Sequence, residues 1–118
     1  MDIGIISLAD TVGLATPHQV YDVTSYLVES LPGTEIGVHL HSTPQNWEEK
    51  LEAAVRAGCK RFDGALKGIG GCPMADDDLV GNMNSELMIQ YFENKELLTD
   101  LNKEALIESL QIAERIFI

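Results

Sequence analysis

Hydrophobic and polar positions alternate between two periods along this chain. Residues 3 to 8, Ile-Gly-Ile-Ile-Ser-Leu, form a short apolar run rich in β-branched side chains that stops at Asp10-Thr11 and the turn-prone Gly13, which predicts a buried parallel strand ending at a loop. Thr16-Pro17 then predicts a helix start, as N-cap and first helical residue, and Val20, Val23, Leu27, Val28 and Leu31 recur at helical spacing until Pro32-Gly33. Residues 35 to 40, Glu-Ile-Gly-Val-His-Leu, read as a second strand. Thr43-Pro44 repeats the cap-plus-proline start before a helix with apolar positions Trp47, Leu51, Ala54 and Val55, and Gly58 fits its C′ stop. A third strand, about 60 to 66, runs into the glycine-rich segment 67 to 74. Helices are predicted over roughly 85 to 92 and 103 to 117, with a further short strand around 80 to 83.

Strands alternating with helices imply βαβ units around a parallel sheet, an α/β fold. Parallel sheets of this kind are complete as a doubly wound fold or as an eight-stranded barrel of roughly 250 residues. At 118 residues, with three clear strands and a fourth around Val80 to Met83, the chain reads as one partial TIM-barrel domain over residues 1–118. Its sheet edges would have to be covered by an N-terminal half-barrel partner or by a second copy, as in a homodimer.

Composition narrows the chemistry. A 45% hydrophobic and 23% charged chain is neither disordered, collagenous nor a disulfide scaffold. Nineteen acidic against eight basic residues give a net charge of −11, which argues against nucleic acid as a partner. No run reaches the roughly 18 to 20 apolar residues of a membrane span, and no signal-peptide pattern opens the chain, so a cytoplasmic location without membrane attachment is expected. Cys59 and Cys72 form no CxxC and read as free thiols.

His39 and His41 flank Leu40 at the end of the second strand. A two-residue strand period puts both imidazoles on one side, within reach of one ion, whereas the plainer reading is two polar residues entering a loop. Asp10 and Asn82 also fall at C-terminal strand ends, the rim on which βα barrels build active sites. Two nitrogens, an amide oxygen and a carboxylate suit Mg²⁺ or Mn²⁺ better than a sulfur-rich zinc site. Cys72 sits among Gly68, Gly70, Gly71 and Pro73 in a loop, a better place for an accessible thiol than for core packing; those glycines could otherwise cradle phosphate, though they form no Walker motif. Cys59, between helix and strand, reads as a small buried hydrophobe.

With these residues in view, the chain resembles the C-terminal half of 3-hydroxy-3-methylglutaryl-CoA lyase, among the metal-dependent barrel lyases. The resemblance runs through Ser7-Leu8-Ala9-Asp10-Thr11-Val12-Gly13 with Thr16-Pro17, Val38-His39-Leu40-His41, Phe62-Asp63-Gly64-Ala65, and Gly68-Ile69-Gly70-Gly71-Cys72-Pro73-Met74-Ala75 followed by Gly81-Asn82. It implies that His39, His41 and Asn82 ligate a divalent cation, Mg²⁺ or Mn²⁺. Asp10, Thr11, Gly70 and Gly71 would then lie against an acyl-CoA substrate, and Cys72, with Asp10 and His39, would be catalytic. The implied reaction is cleavage of 3-hydroxy-3-methylglutaryl-CoA to acetyl-CoA and acetoacetate.

Two departures bear on activity. Ser42 stands where the family usually has an aspartate, and the family's first metal ligand, an aspartate beside an arginine, belongs to an N-terminal half. The expected function is therefore a lyase that needs that half. A catalytically silent half-barrel assembly or binding module is the alternative, and a metal-dependent hydrolase is a third reading that leaves the cysteine loop unexplained.

Overall fold

A computed structural model describes residues 2–70 and 80–117. Three parallel strands, β1 (Ile5–Ala9), β2 (Glu35–His39) and β3 (Arg61–Asp63), lie in sequence order in one sheet, joined by α1 (Pro17–Ser30) and α2 (Trp47–Arg56). A single 3-10 turn at Leu66–Gly68 precedes the residues that are not described, and α3 (Ser85–Asn94) and α4 (Lys103–Ile116) close the chain. Among the described residues no helix is long and apolar enough to cross a membrane.

The two faces of the sheet differ because strand side chains alternate. Ile36, Val38 and Leu40 point to the helix side, where they join Val20, Leu51, Ala54 and Met83 in the core. The opposite face carries Ser7, Ala9, Gly37, His39, Arg61 and Asp63, aligned by register as Ser7 with Gly37 and Arg61, and Ala9 with His39 and Asp63. Gly37 leaves room there for the Arg61 side chain, which a Cβ would approach to 3.1–3.2 Å.

Several elements form for the reasons the sequence suggests. Thr16 caps α1: its hydroxyl accepts from Gln19 N at 3.2 Å while Gln19 Oε1 accepts from Thr16 N at 2.9 Å, a reciprocal capping box with Pro17 at the first helical position. Gly58 ends α2 at φ +94°, and Cys59 is buried behind it.

Others differ. β1 is not a buried strand, because Ile5, Ser7 and Ala9 are exposed and nothing among the described residues lies along its free edge. Val23, expected on the apolar stripe of α1, is exposed, and the buried positions are Val20 and Thr24. α2 does not begin directly after Thr43-Pro44: the Thr43 hydroxyl accepts from Gln45 N at 3.3 Å, not from the third residue as at Thr16, and a turn precedes the regular helix, which begins at Trp47. The third strand is shorter than 60 to 66, because at Gly64 the backbone passes so close to Met83 O and the Met88 side chain that a Cβ has no room. The predicted strand at 80 to 83 is reduced to isolated bridges, antiparallel from Asn82 to His41 and parallel from Asn84 to Ala65. The segment changes partner within two residues, so no ladder extends.

Candidate active site at the strand ends

The backbone of 80–85 nevertheless gathers the carboxyl ends of the strands. Met83 N donates to Leu40 O at 3.1 Å, Ser42 N to Gly81 O at 3.1 Å, and Ala65 N to Met83 O at 3.0 Å. Asp10 N donates to His39 O at 3.0 Å, which joins the end of β1 to the end of β2. Asp10, His39, His41 and Asn82 therefore stand on one rim, as their sequence positions suggest.

The imidazoles of His39 and His41 face the same side, with ring centroids 5.4 Å apart and planes inclined by 60°. His41 is buried, and its Nδ1 lies 3.1 Å from Val80 O. A carbonyl can only accept, so Nδ1 carries the proton and Nε2 keeps its lone pair for a ligand, the arrangement by which metal-binding histidines are oriented. Asn82 Nδ2 donates to Ile69 O at 2.8 Å, while its Oδ1 is buried with no hydrogen-bond partner among the described residues. An orphaned buried amide oxygen is costly, and a cation would satisfy it. Among the described residues no three His, Cys, Asp or Glu side chains converge, so the donor set is two imidazoles and one amide oxygen. That set fits a divalent cation completed by water, substrate or a carboxylate from elsewhere.

The loop entering the glycine-rich segment is built against Asn82. Gly68 and Gly70 adopt φ +65° and +90°, and Asn82 N donates to Gly70 O at 3.2 Å. A Cβ at Gly70 would stand 2.8 Å from Asn82 Nδ2, and one at Gly81 would stand 2.6 Å from Gly68 O. Backbone meets backbone here, which only glycine permits. Lys67 N donates to both carboxylate oxygens of Glu86, at 3.0 and 2.9 Å, which ties the turn to the first turn of α3. Gly71, Cys72 and the acidic run Asp76 to Asp78 lie outside the described residues.

Asp10 is more engaged than its sequence position suggests. Its Oδ1 accepts from Ala15 N at 3.1 Å, and its Oδ2 accepts from Lys50 Nζ at 2.5 Å. Thr11 is exposed beside it at the head of the β1–α1 loop. Lys50 itself is a residue that pattern reading misses. It lies inside a Glu-Glu-Lys stretch that looks like a solvated helix face, yet its side chain is only 1% exposed. Asp63, level with His39 in the β2–β3 register, lines an open cleft with His39, Phe62, Ser85 and Met88, and its only signal was its place among the residues carrying the family resemblance.

The family model described as HMGL-like matches residues 1–112. The (R)-citramalyl-CoA lyase of Chloroflexus aurantiacus is 38% identical over 104 residues, spanning 88% of this chain and 32% of that protein. A solved HMG-CoA lyase from Bacillus subtilis is 32% identical with a TM-score of 0.81, covering 96% of this chain and 38% of its own. A second, from Acinetobacter baumannii in complex with coenzyme A and 3-methylmalate, is 35% identical with a TM-score of 0.75, covering 87% and 33%. The chain thus spans about a third of the length of the relatives it matches.

Proposed function

The chain belongs to the HMGL-like family, and we propose that it forms the C-terminal, cation-holding part of an acyl-CoA lyase barrel that breaks a carbon–carbon bond next to a tertiary alcohol. The substrate is 3-hydroxy-3-methylglutaryl-CoA, cleaved to acetyl-CoA and acetoacetate. The 38% identity to a citramalyl-CoA lyase makes (R)-citramalyl-CoA the second substrate to assay. The observation that carries the reading is the Oδ1 of Asn82, buried with no partner among the described residues and bridged through its backbone to His41, whose Nδ1 is held by Val80 O.

His39, His41 and Asn82 would hold Mg²⁺ or Mn²⁺, which when bound draws charge from the substrate's hydroxyl oxygen and so makes its proton easier to remove. Asp10 and Thr11, at the mouth of β1, lie against the substrate, and Gly70 and Gly71 let backbone approach it closely. As the hydroxyl proton passes to a base, for which Asp10 is this chain's candidate carboxylate, the C2–C3 bond breaks, the ketone forms at C3, and the electron pair passes to C2 of an acetyl-CoA enolate. A proton must then reach C2, and the Cys72 thiol is its source. The remaining barrel strands would supply the carboxylate and the cationic partner for the oxygen charge that this chain lacks.

Calorimetric titration of the chain with Mn²⁺ tests the cation site. His41→Ala and Asn82→Ala should each weaken binding by about tenfold or more. Unchanged affinity in both variants would remove the assignment. Acetyl-CoA release from each of the two thioesters, by the barrel completed with its N-terminal part, tests the reaction and chooses between the substrates.

A further inference from the structure

The three N–H bonds of Lys50 go to three separate places. Nζ reaches from α2 to Asp10 Oδ2 at 2.5 Å, His41 O at 2.8 Å and Gly13 O at 3.2 Å. Asp10 and Gly13 are the two ends of one turn, in which Gly13 N donates to Asp10 O at 3.2 Å. His41 O belongs to the residue that follows Leu40 out of β2. One ammonium therefore fastens the β1–α1 turn and the end of β2 to the first turns of α2, directly behind the rim on which the imidazoles stand.

The cost of this arrangement shows that something depends on it. A lysine stem and ammonium have been taken out of water at a position where a leucine or methionine would fill the same space in the core, and all three donors are spent on groups that are themselves buried or half-buried. A charge placed only to balance Asp10 would need one acceptor. The other two acceptors are backbone carbonyls, whose positions the bonds fix. Nor can Lys50 act on substrate itself, because no donor is left over and the side chain is 1% exposed.

We infer that Lys50 is a positioning residue for the candidate site: by holding His41 O, together with Asp10 and Gly13 O, it sets the backbone from which the His41 ring is aimed. The ring's second restraint, Nδ1–H to Val80 O, comes from the segment that carries Asn82, so Lys50 on one side and Val80 on the other fix the direction of Nε2. The turn is pressed to the same place by Gly13, where φ is +72° and a Cβ would stand 2.7 Å from the Val80 side chain. The inference rests on reading His41 as a ligand, and its primary readout needs no metal.

The test is long-range proton–nitrogen correlation of the imidazoles in the metal-free chain at a pH of about 8, which reads the tautomer of each ring directly. A histidine peptide free in water serves as the reference for a freely exchanging ring, since His18 Nε2 lies 3.1 Å from Asp22 Oδ2. In the native chain His41 should show a single Nδ1–H tautomer. In Lys50→Gln it should drift toward the mixed pattern of the free peptide, and Mn²⁺ affinity should fall by about tenfold or more. Asp10→Asn combined with Lys50→Met removes the charge pair together and leaves the net charge at −11, which serves if the single variant does not fold. That double variant should still show the mixed tautomer. A return to the single tautomer with native Mn²⁺ affinity would mean that Lys50 only balances Asp10, and would overturn the inference. Unchanged His41 signals and Mn²⁺ affinity in Lys50→Gln would overturn it as well, while leaving the cation reading intact. A native chain that binds no Mn²⁺ but whose His41 tautomer responds to Lys50 would overturn the cation reading and keep the positioning role.

Discussion

Cys59 shows how an ordinary residue acquires a measurable property from its place. Its thiol donates to Ile36 O and Arg61 O at 3.3 and 3.2 Å, and burial pushes its pKa above the usual 9.0, with the charges of Asp63 and Glu35 adding to the effect. The folded chain therefore keeps this proton at a pH where the unfolded chain has lost it, so stability falls as pH rises through 9.0. Tyr91, raised above its usual 10.0 chiefly by burial, acts in the same direction higher up. Urea midpoints should decline from about pH 8 to about pH 10, and Cys59→Ala should flatten the first part of that decline; a midpoint that does not move would refute the linkage. Brief alkylation should leave Cys59 unlabelled while Cys72 reacts, and equal labelling would count against an accessible thiol in the glycine loop. At this scale the sequence is legible where a short-range rule applies, as with the burial of Cys59 and the shared face of His39 and His41. It is silent on Lys50, because the partner that explains it, Asp10, lies 40 positions away and a lysine between glutamates has no local mark of burial.

Helices were easier to read than strands because their end signals are chemical and local. The Thr16–Gln19 capping box is visible as residue types, and Thr16→Ala should cost about 1 kcal/mol of unfolding free energy in urea titrations with no change in slope. A loss within a few tenths of zero would mean that α1 is held by its packing on α2 alone. Thr43-Pro44 carries the same letters, and Asn46 Oδ1 accepts from Thr43 N just as Gln19 Oε1 does from Thr16 N, yet the Thr43 hydroxyl accepts from Gln45 N rather than from the third residue and the regular helix begins only at Trp47. Strand ends were harder. What stops β3 is the close approach of Gly64 to Met83 O and the Met88 side chain, and the 80–83 run, which changes partner between Asn82 and Asn84 where it crosses the 68–70 backbone, is left with single bridges, tertiary facts with only glycine as their trace. Gly81→Ala, whose Cβ would stand 2.6 Å from Gly68 O, should destabilise the chain by about 1–3 kcal/mol and weaken Mn²⁺ binding with it, because the backbone that would have to yield carries Asn82. Full Mn²⁺ affinity in that variant would show that the crossing of these two segments does not place the ligand.

A parallel sheet normally has both faces covered, and among the described residues this one does not. One face meets α1 and α2, while the other bears the site residues, and Ile5, Ser7 and Ala9 stay exposed on β1. Ile3 and Ile5 beside the free edge of β1, Val23 and Tyr26 on α1, and Ile107, Ile112 and Ile116 on α4 all keep about half or more of their surface in water. The radius of gyration, 14.8 Å, exceeds the roughly 13.5 Å of a compact domain of this length, as a piece of barrel wall should. In the relatives it matches, such a wall is about a third of the protein. The purified chain should therefore associate, with homodimers as the first species, through apolar surface and an unpaired strand edge. The net charge of −11 opposes that association, and salt screens the repulsion over about 10 Å at 0.1 M while leaving apolar burial in place. Sedimentation should show self-association at micromolar concentration that strengthens as salt is raised, together with a dye-binding apolar surface that shrinks as dimers form. Association that weakens with salt would mean that ion pairs drive it, and a monodisperse monomer would mean that these exposed residues are covered within the chain.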